Sequence, residues 1–287
     1  MGMLFKFSRE IRKSEPFYLL TAVMRLVPAY FKSFLTKSDW RTPSRVLRSY
    51  DKTADNKLSI KFEASLTLED YVFTNRFTSM ADEKDFRLLN DKILWTDIRR
   101  LNELAVLEIE KNLQPFIAKS GTIVEFGCGS GRNLLWLKSK YPNINFIGLD
   151  ISPKRIELAN AAAKHFGLDV VFRVANVCDK DLPSLPPDIL TCFSVHALEQ
   201  MPRIYTNAVD NMMKITPQTA FFFEPVAEAY PYNLRGILSR LRVRIKDRLL
   251  GLPGYLSKNY SLISIKRTGM GVQPMNETCV IIAEKNI

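Results

Sequence analysis

No long apolar run interrupts this 287-residue sequence. The most hydrophobic N-terminal stretch, Phe17 to Phe31, is broken by Arg25 and Pro28 and is too short to span a bilayer. No small-residue cleavage site follows it, so neither a transmembrane helix nor a secretory leader is expected. Position six is Lys6, where an acylation signal at Gly2 requires Ser or Thr, which excludes myristoylation. Cysteine is scarce. Cys128, Cys178, Cys192 and Cys279 stand far apart with no C-x-x-C pair, which excludes a readable disulfide framework or zinc site and fits a reducing, cytoplasmic compartment. Only two histidines occur, His165 and His196, and no metal centre is expected. With 12 Gly and 15 Pro against 46% hydrophobic residues, low complexity and disorder are excluded as well. What remains is one large globular domain with an accessory segment.

Charge is abundant and unevenly placed. The net charge is +11, and residues 1 to 50 carry ten Lys or Arg against Glu10, Glu15 and Asp39. Residues 231 to 250 carry six against Asp247, and the rest of the chain is close to neutral. Both basic stretches are amphipathic at helical spacing: Leu20, Val23, Met24, Val27, Phe31, Phe34 and Leu35 in the first, Leu234, Ile237, Leu238, Leu241, Ile245 and Leu249 in the second. Two readings follow. Either each apolar stripe packs on the body and the cations are merely solvated, or the basic helices meet an anionic membrane surface or gather anionic substrates.

Residues 51 to 83 read as loop-rich, with a short helix at Thr67 to Val72, and residues 84 to 118 as one helix with Ile93, Leu94, Ile98, Leu101, Leu104 and Ala105 on a face. From Thr122 the rhythm changes to alternating strands and helices. Strands are expected at 122–126, 145–149, 170–174, 188–193 and 220–224, with helices at 133–141, 153–166 and 202–215 between them. That alternation specifies a parallel, doubly wound α/β sheet. The loop Thr268 to Glu277 is too short for a crossover helix, so strands 260–267 and 278–284 must pair antiparallel.

The first strand runs into Glu125-Phe-Gly127-Cys-Gly129-Ser-Gly131-Arg-Asn133, a glycine turn that lets backbone approach a ligand. Arg132 stands where a dinucleotide fingerprint wants glycine or alanine, and the Gly-Lys-Ser/Thr of a P-loop is missing, so a pyrophosphate ligand is disfavoured. Nineteen residues past Gly131, Asp150 ends the second strand, where a carboxylate can accept hydrogen bonds from ribose hydroxyls. Glycine turn, strand-end acid and closing hairpin occur in that order. Residues 119 to 287 thereby resemble the class I S-adenosylmethionine-dependent methyltransferases, with Val124-Glu-Phe-Gly-Cys-Gly-Ser-Gly131 as the first motif.

The resemblance implies a Rossmann-like seven-stranded sheet with a C-terminal antiparallel hairpin, and a helical N-terminal cap over residues 1 to 118. It implies that Glu125, Gly127, Gly129 and Gly131 hold the methionine part of S-adenosylmethionine, that Asp150 holds the ribose, and that Ile151, Asn176 and Val177 line the adenine. Ser194-Val-His196-Ala-Leu-Glu199-Gln200 resembles the fourth motif. It places Ser194 by the cofactor and makes His196 a general-base candidate, with Glu199 as second choice and Glu224 in reserve. Tyr50, Tyr71, Phe73 and Phe77 of the cap are candidates to shield a sulfonium. The implied activity is methyl transfer, at oxygen, to a small-molecule, glycan or lipid-linked acceptor, releasing S-adenosylhomocysteine. The basic helices favour an anionic or membrane-associated substrate over nucleic acid. A nucleic-acid or protein methyltransferase and a silent nucleoside-binding scaffold remain open, and a nicotinamide dehydrogenase comes last.

Overall fold

The computed structural model describes residues 14–35, 47, 62–74, 84–201, 205–245 and 249–286. The expectations for Gly2, Lys6, Tyr50, Phe77, the side chains of Phe34 and Leu35, and the loops at 51–61 and 75–83 lie outside the described residues.

The elements in chain order are α1 (Glu15–Leu35), α2 (Leu68–Phe73), β1 (Asp85–Leu89), β2 (Lys92–Thr96), α3 (Arg99–Ile117), β3 (Thr122–Phe126), α4 (Arg132–Lys140), β4 (Asn145–Asp150) and α5 (Pro153–Phe166). They continue with β5 (Val171–Val174), β6 (Ile189–Val195), α6 (Tyr205–Ile215), β7 (Thr219–Glu224), α7 (Leu234–Ile245), α8 (Leu252–Asn259), β8 (Ser261–Arg267) and β9 (Cys279–Glu284). The main sheet has seven strands in the order β5-β4-β3-β6-β7-β9-β8. Strands β3 to β7 pair in parallel, and β9 is antiparallel to both β7 and β8. This is the Rossmann-like architecture with a closing hairpin read from the sequence.

Both faces of the sheet are covered, so neighbouring residues on one strand enter opposite cores. Phe221 and Phe223 join the cluster under α3, α4 and α5, whereas Phe222 joins the one under α6 and α8. Helix α5 is bounded by its own chemistry: the Ser152 side chain accepts from the Arg155 N–H, Pro153 opens the helix, and left-handed Gly167 ends it.

Two expectations are corrected. The single helix anticipated over 84–118 is a β-hairpin followed by α3. Asn90 and Asp91 adopt φ of +50° and +62°, the two-residue turn that makes tight hairpins, and these side chains tolerate it. Alternation then wins over helical periodicity, because Phe86 faces Trp95 and Leu88 faces Ile93 across the ladder. The hairpin pairs with the loop between β8 and β9: Leu88 N–H donates to the Gly271 carbonyl at 2.9 Å and Gly271 N–H returns to the Leu88 carbonyl at 3.0 Å.

The second correction concerns the basic helices. Helix α1 packs on α7 through Tyr18, Leu19, Ala22, Val23 and Leu26 rather than through most of the stripe anticipated. On α7, Arg235 is buried in an ion cluster, with Nη1 2.9 Å from Glu277 Oε2 and Nη2 2.9 Å from Asp91 Oδ1. Arg267 Nε donates to the other Glu277 oxygen at 3.0 Å. The hairpin turn, α7 and the loop before β9 are thus joined by charge, with Arg235 and Glu277 buried and Asp91 at the solvent edge.

Removing one member of a buried pair leaves its partner uncompensated, which costs about 3–5 kcal/mol. Arg267 keeps one hold on Glu277, so Arg235→Ala is expected at the lower end, about 3 kcal/mol, in urea unfolding. Exposed Arg244→Ala should stay within about 0.5 kcal/mol.

Candidate active site

At the carboxyl edge of β3, β6 and β7 lies a cavity of about 240 Å³. Its floor is Glu125, Gly127, Cys128, Gly129 and Ser130; one wall is α3, with Leu101, Asn102 and Val106; the opposite wall carries Val195, His196, Phe223, Met270, Val272 and Thr278. Sequence reasoning foresaw the floor and His196. It missed α3 and the 268–278 loop, whose residues bear no motif and converge only through the fold.

Glu125 is the most constrained charge on the floor. It is 1% exposed, Oε1 accepts from Asn133 Nδ2 at 2.7 Å, and Oε2 has no hydrogen-bond partner among the described residues. Burial pushes its carboxyl up to about 8; the Asn133 hydrogen bond opposes the rise, and the nearby Asp150 charge adds to it. A buried carboxyl with a free oxygen on a cavity floor suits a cationic ligand group, which would ionise it and supply the missing contact.

The three glycines differ in what they serve. A Cβ on Gly127 would fall 2.3 Å from the Ala197 side chain, and one on Gly131 would fall 2.4 Å from the Phe172 ring. Packing therefore forbids a side chain at those two positions. At Gly129 the nearest group is Arg155 Nη1, 3.1 Å away, and Arg155 itself lines the cavity. Sequence reasoning did not single out Arg155. Its only signal was a cation in the first turn after Asp150.

Asp150 is buried and already shapes the loop: Oδ2 accepts from the Gly129 N–H and Oδ1 from the Ser152 N–H, both at 2.9 Å. Asp150 itself is not among the residues that line the cavity. Asn176 is turned to a local task, its Oδ1 accepting from Cys178 N–H and its Nδ2 donating to Asp179. Val177 is buried in the core, and neither Asn176, Val177 nor Ile151 is part of the cavity wall. Ser194 is fully buried and donates to Glu224 Oε1 at 3.0 Å. Tyr71 and Phe73 also fall outside the wall. Tyr71 donates to the Ser130 carbonyl at 2.8 Å and Phe73 packs on Trp136, so both seat α2 against the glycine loop and α4. Arg132, bonded to the Val72 carbonyl, fastens α2 to the glycine loop from the other side.

On the far wall, His196 has φ of +51°, a conformation uncommon for any residue but glycine. Such strain costs about 1–3 kcal/mol and persists only where the surroundings hold it. Here they do. The His196 N–H donates to Phe223 O at 3.0 Å, Nδ1 lies 3.0 Å from Glu199 Oε1, and Nε2 lies 2.7 Å from Thr278 Oγ1. Glu199 is buried and receives Asn276 Nδ2 on both oxygens, at 3.2 and 3.3 Å. Arranged as an acceptor on both sides, Glu199 assigns the imidazole proton to Nδ1 and leaves the Nε2 lone pair toward Thr278. Glu199 does not reach the cavity; it orients the ring that does.

Behind them sits Glu224, which accepts from Ser194 Oγ, from the Ala197 and Leu198 N–H groups at 2.8 and 3.0 Å, and from the Glu199 N–H at 3.3 Å. Burial pushes it up to about 7, against the pull of His196 and the Leu198 N–H. Cys128 is buried, and burial pushes its thiol well up, which fits a tight turn residue rather than a nucleophile. Among the described residues no cluster of His, Cys, Asp and Glu has the arrangement to hold a metal ion.

Comparison with known proteins bears on the family and the fold. Residues 123–215 match a family model described as a methyltransferase domain. A 69-residue segment is 30% identical to a carboxy-S-adenosyl-L-methionine synthase of Campylobacter jejuni subsp. jejuni serotype O:23/36 (strain 81-176), covering 24% of this chain and 29% of that protein. A 76-residue segment is 33% identical to the methyltransferase ungE' of Aspergillus campestris (strain IBT 28561), covering 25% of this chain and 22% of that protein. The match thus spans less than a third of either relative's length. Among solved structures, the cyclase SpnF superposes with a TM-score of 0.58 at 13% identity, over 86% of this chain and 97% of that one. The magnesium protoporphyrin IX methyltransferase of Synechocystis PCC 6803 with bound S-adenosylhomocysteine superposes with a TM-score of 0.51 at 14% identity, over 66% and 85%.

Glu125 generates a test that needs no ligand. Its folded pKa lies above its unfolded one, so the native state holds the extra proton between about 4.5 and 8, and its contribution to stability falls as pH rises through that window. Glu125→Gln keeps the carbonyl oxygen that faces Asn133 and removes the ionisation. Thermal unfolding at pH 6 and pH 9 should therefore show a smaller alkaline loss in Glu125→Gln than in the parent protein; parallel losses would contradict the assignment.

Proposed function

We propose, for a chain that carries a class I S-adenosylmethionine-dependent methyltransferase domain, that it methylates an oxygen of a small organic acceptor, with His196 as general base. The observation that carries this reading is the single cavity shared by the glycine floor with Glu125 and by the imidazole of His196. S-adenosylmethionine supplies an electrophilic methyl group on a sulfonium. The residues present fit it: the unpartnered Glu125 oxygen suits its ammonium group, the bare backbone at Gly129 admits close approach, and Asp150, at the end of β4 beside that loop, places a carboxylate where ribose hydroxyls would lie.

The chain's own part is alignment, exclusion of water and removal of one proton. Alignment of two reactants in a closed site supplies about 7–11 kcal/mol. The acceptor hydroxyl donates its proton to Thr278 Oγ, while the Thr278 hydroxyl proton passes to His196 Nε2. Glu199 stabilises the resulting imidazolium through Nδ1–H, and Asn276 holds Glu199 in place. The acceptor stands against Leu101, Val106, Met270 and Val272, an apolar wall that supports a small molecule or a lipid-linked or glycan-linked aglycone rather than a nucleic acid. Among the described residues no helix is long and apolar enough to cross a membrane.

Incubating the protein with an extract of small metabolites and isotopically labelled methyl donor identifies the acceptor. On it, His196→Gln should lower kcat by about 10²–10⁴-fold with little change in donor affinity. Thr278→Val should also lower kcat, and Thr278→Ser should restore most of it. Asp150→Ala should instead weaken calorimetric binding of the donor while kcat/KM for the acceptor at saturating donor changes less. Full turnover in His196→Gln contradicts the general-base role, and tight donor binding with no methylated product in any extract contradicts the activity.

A further inference from the structure

The wall that α3 gives to the cavity carries a charge that the proposed reaction does not use. Leu101, Ala105 and Glu108 follow one another at spacings of four and three residues, so the helix stacks them on the face that lines the cavity. Glu108 is half-buried there. Its Oε1 accepts from Asn112 Nδ2 at 3.2 Å, and the same amide donates to the Glu108 carbonyl at 2.7 Å, which lays the side chain along the helix. The neighbouring acids of α3 are employed differently. Glu103 pairs with Arg99 and Arg100, and Glu110 with Lys140 and the Tyr141 hydroxyl. Among the described residues no Lys or Arg pairs with Glu108, and its one side-chain partner is a neutral amide.

The rest of the cavity decides which ligand group suits that carboxylate. Two guanidinium groups line it, and both belong to the floor. Arg132 is bonded to the Val72 carbonyl and acts on Glu125, while Arg155 lies beside Gly129 and acts on Cys128. Facing α3 stand the apolar Met270 and Val272, with His196 and Thr278 bonded to each other. Thr268 turns its hydroxyl to the Thr278 carbonyl. An anionic acceptor against α3 would be repelled by Glu108. A neutral apolar one would displace water from the carboxylate and leave it without compensation, which is costly. A protonated amine instead supplies a charge-assisted hydrogen bond.

We propose that the acceptor is a small apolar molecule that carries, besides the hydroxyl offered to Thr278, a protonated amine held by Glu108. The proposal rests on the reading of this cavity as a methyltransferase site and narrows it to a substrate class. Glu108 then determines specificity and takes no part in the proton transfer.

The test is calorimetric binding at pH 7 to the full chain saturated with S-adenosylhomocysteine, which has no methyl group to transfer. The probes are tyramine, para-ethylphenol and para-hydroxyphenylpropionate, which share a phenol ring and differ in the charge of the side chain. Tyramine should bind more tightly than para-ethylphenol by about tenfold or more, the effect of a hydrogen bond between charged groups, and the propionate more weakly than either. Glu108→Gln keeps the oxygen that accepts from Asn112 and removes the charge. It should abolish the preference for tyramine while leaving the affinity for S-adenosylhomocysteine and the unfolding midpoint as in the parent protein. Equal affinity of the parent for tyramine and para-ethylphenol, a preference that survives in Glu108→Gln, or no binding of tyramine to protein that holds S-adenosylhomocysteine overturns the amine assignment and leaves the methyltransferase reading standing. Failure to bind S-adenosylhomocysteine at all contradicts that reading and this proposal together.

Discussion

One buried carboxylate sets the geometry on which the rest of the site depends. Glu224, at the end of β7, receives the Ser194 hydroxyl and three consecutive backbone N–H groups from the turn after β6. Those bonds fix the turn so that His196 takes a left-handed conformation and Glu199 lands beneath its ring. An apolar residue at 224 would leave three buried N–H groups without acceptors, each costing about 1–3 kcal/mol. The strain at His196 is thus held by bonds made elsewhere, a common condition of active sites. Parallel pairing does the complementary work: β3 lies between β4 and β6, and so the glycine floor, Asp150 and His196 emerge at one edge of the sheet.

Much of this was legible in the residues. The alternation from Thr122 onward specified the sheet, the helices on its faces and the closing hairpin, because parallel strands buried on both sides read as short apolar runs separated by amphipathic helices. Glu125, the glycine loop and His196 were legible from order and spacing. Other features were not. The hairpin over residues 85–96 was masked by apolar residues that also suit a helix, and the decisive signal, Asn90-Asp91, lay in the turn. Asn176 and Ser194 sit where motif position placed them but spend their polar atoms on a local turn and on Glu224. Motif position specifies an address, and only three-dimensional bonding specifies the task.

The far wall shows why sequence alone undercounts a site. Thr278, Asn276 and Met270 come from the loop before β9, distant in the chain from His196, and α3 closes the cavity from the accessory region. That loop is itself paired with the β1–β2 hairpin through Leu88 and Gly271, and tied to α7 through Arg235 and Glu277. The elements before β3 therefore hold one wall of the cavity, and α7 links the loop opposite to α1. Fold likeness does not decide the reaction, since the compared structures with this architecture include a cyclase and a methyltransferase. The unpartnered oxygen of Glu125 and the oriented ring of His196 bear on it more directly.

The central claim is that the cavity floor accepts the cationic end of S-adenosylmethionine against Glu125. Titration calorimetry of that compound at pH 7, repeated in buffers of different ionisation enthalpy, counts the protons exchanged on binding. The account requires net release approaching one proton as Glu125 ionises, and its disappearance in Glu125→Gln. Binding with no proton release, or no binding at all, would contradict it.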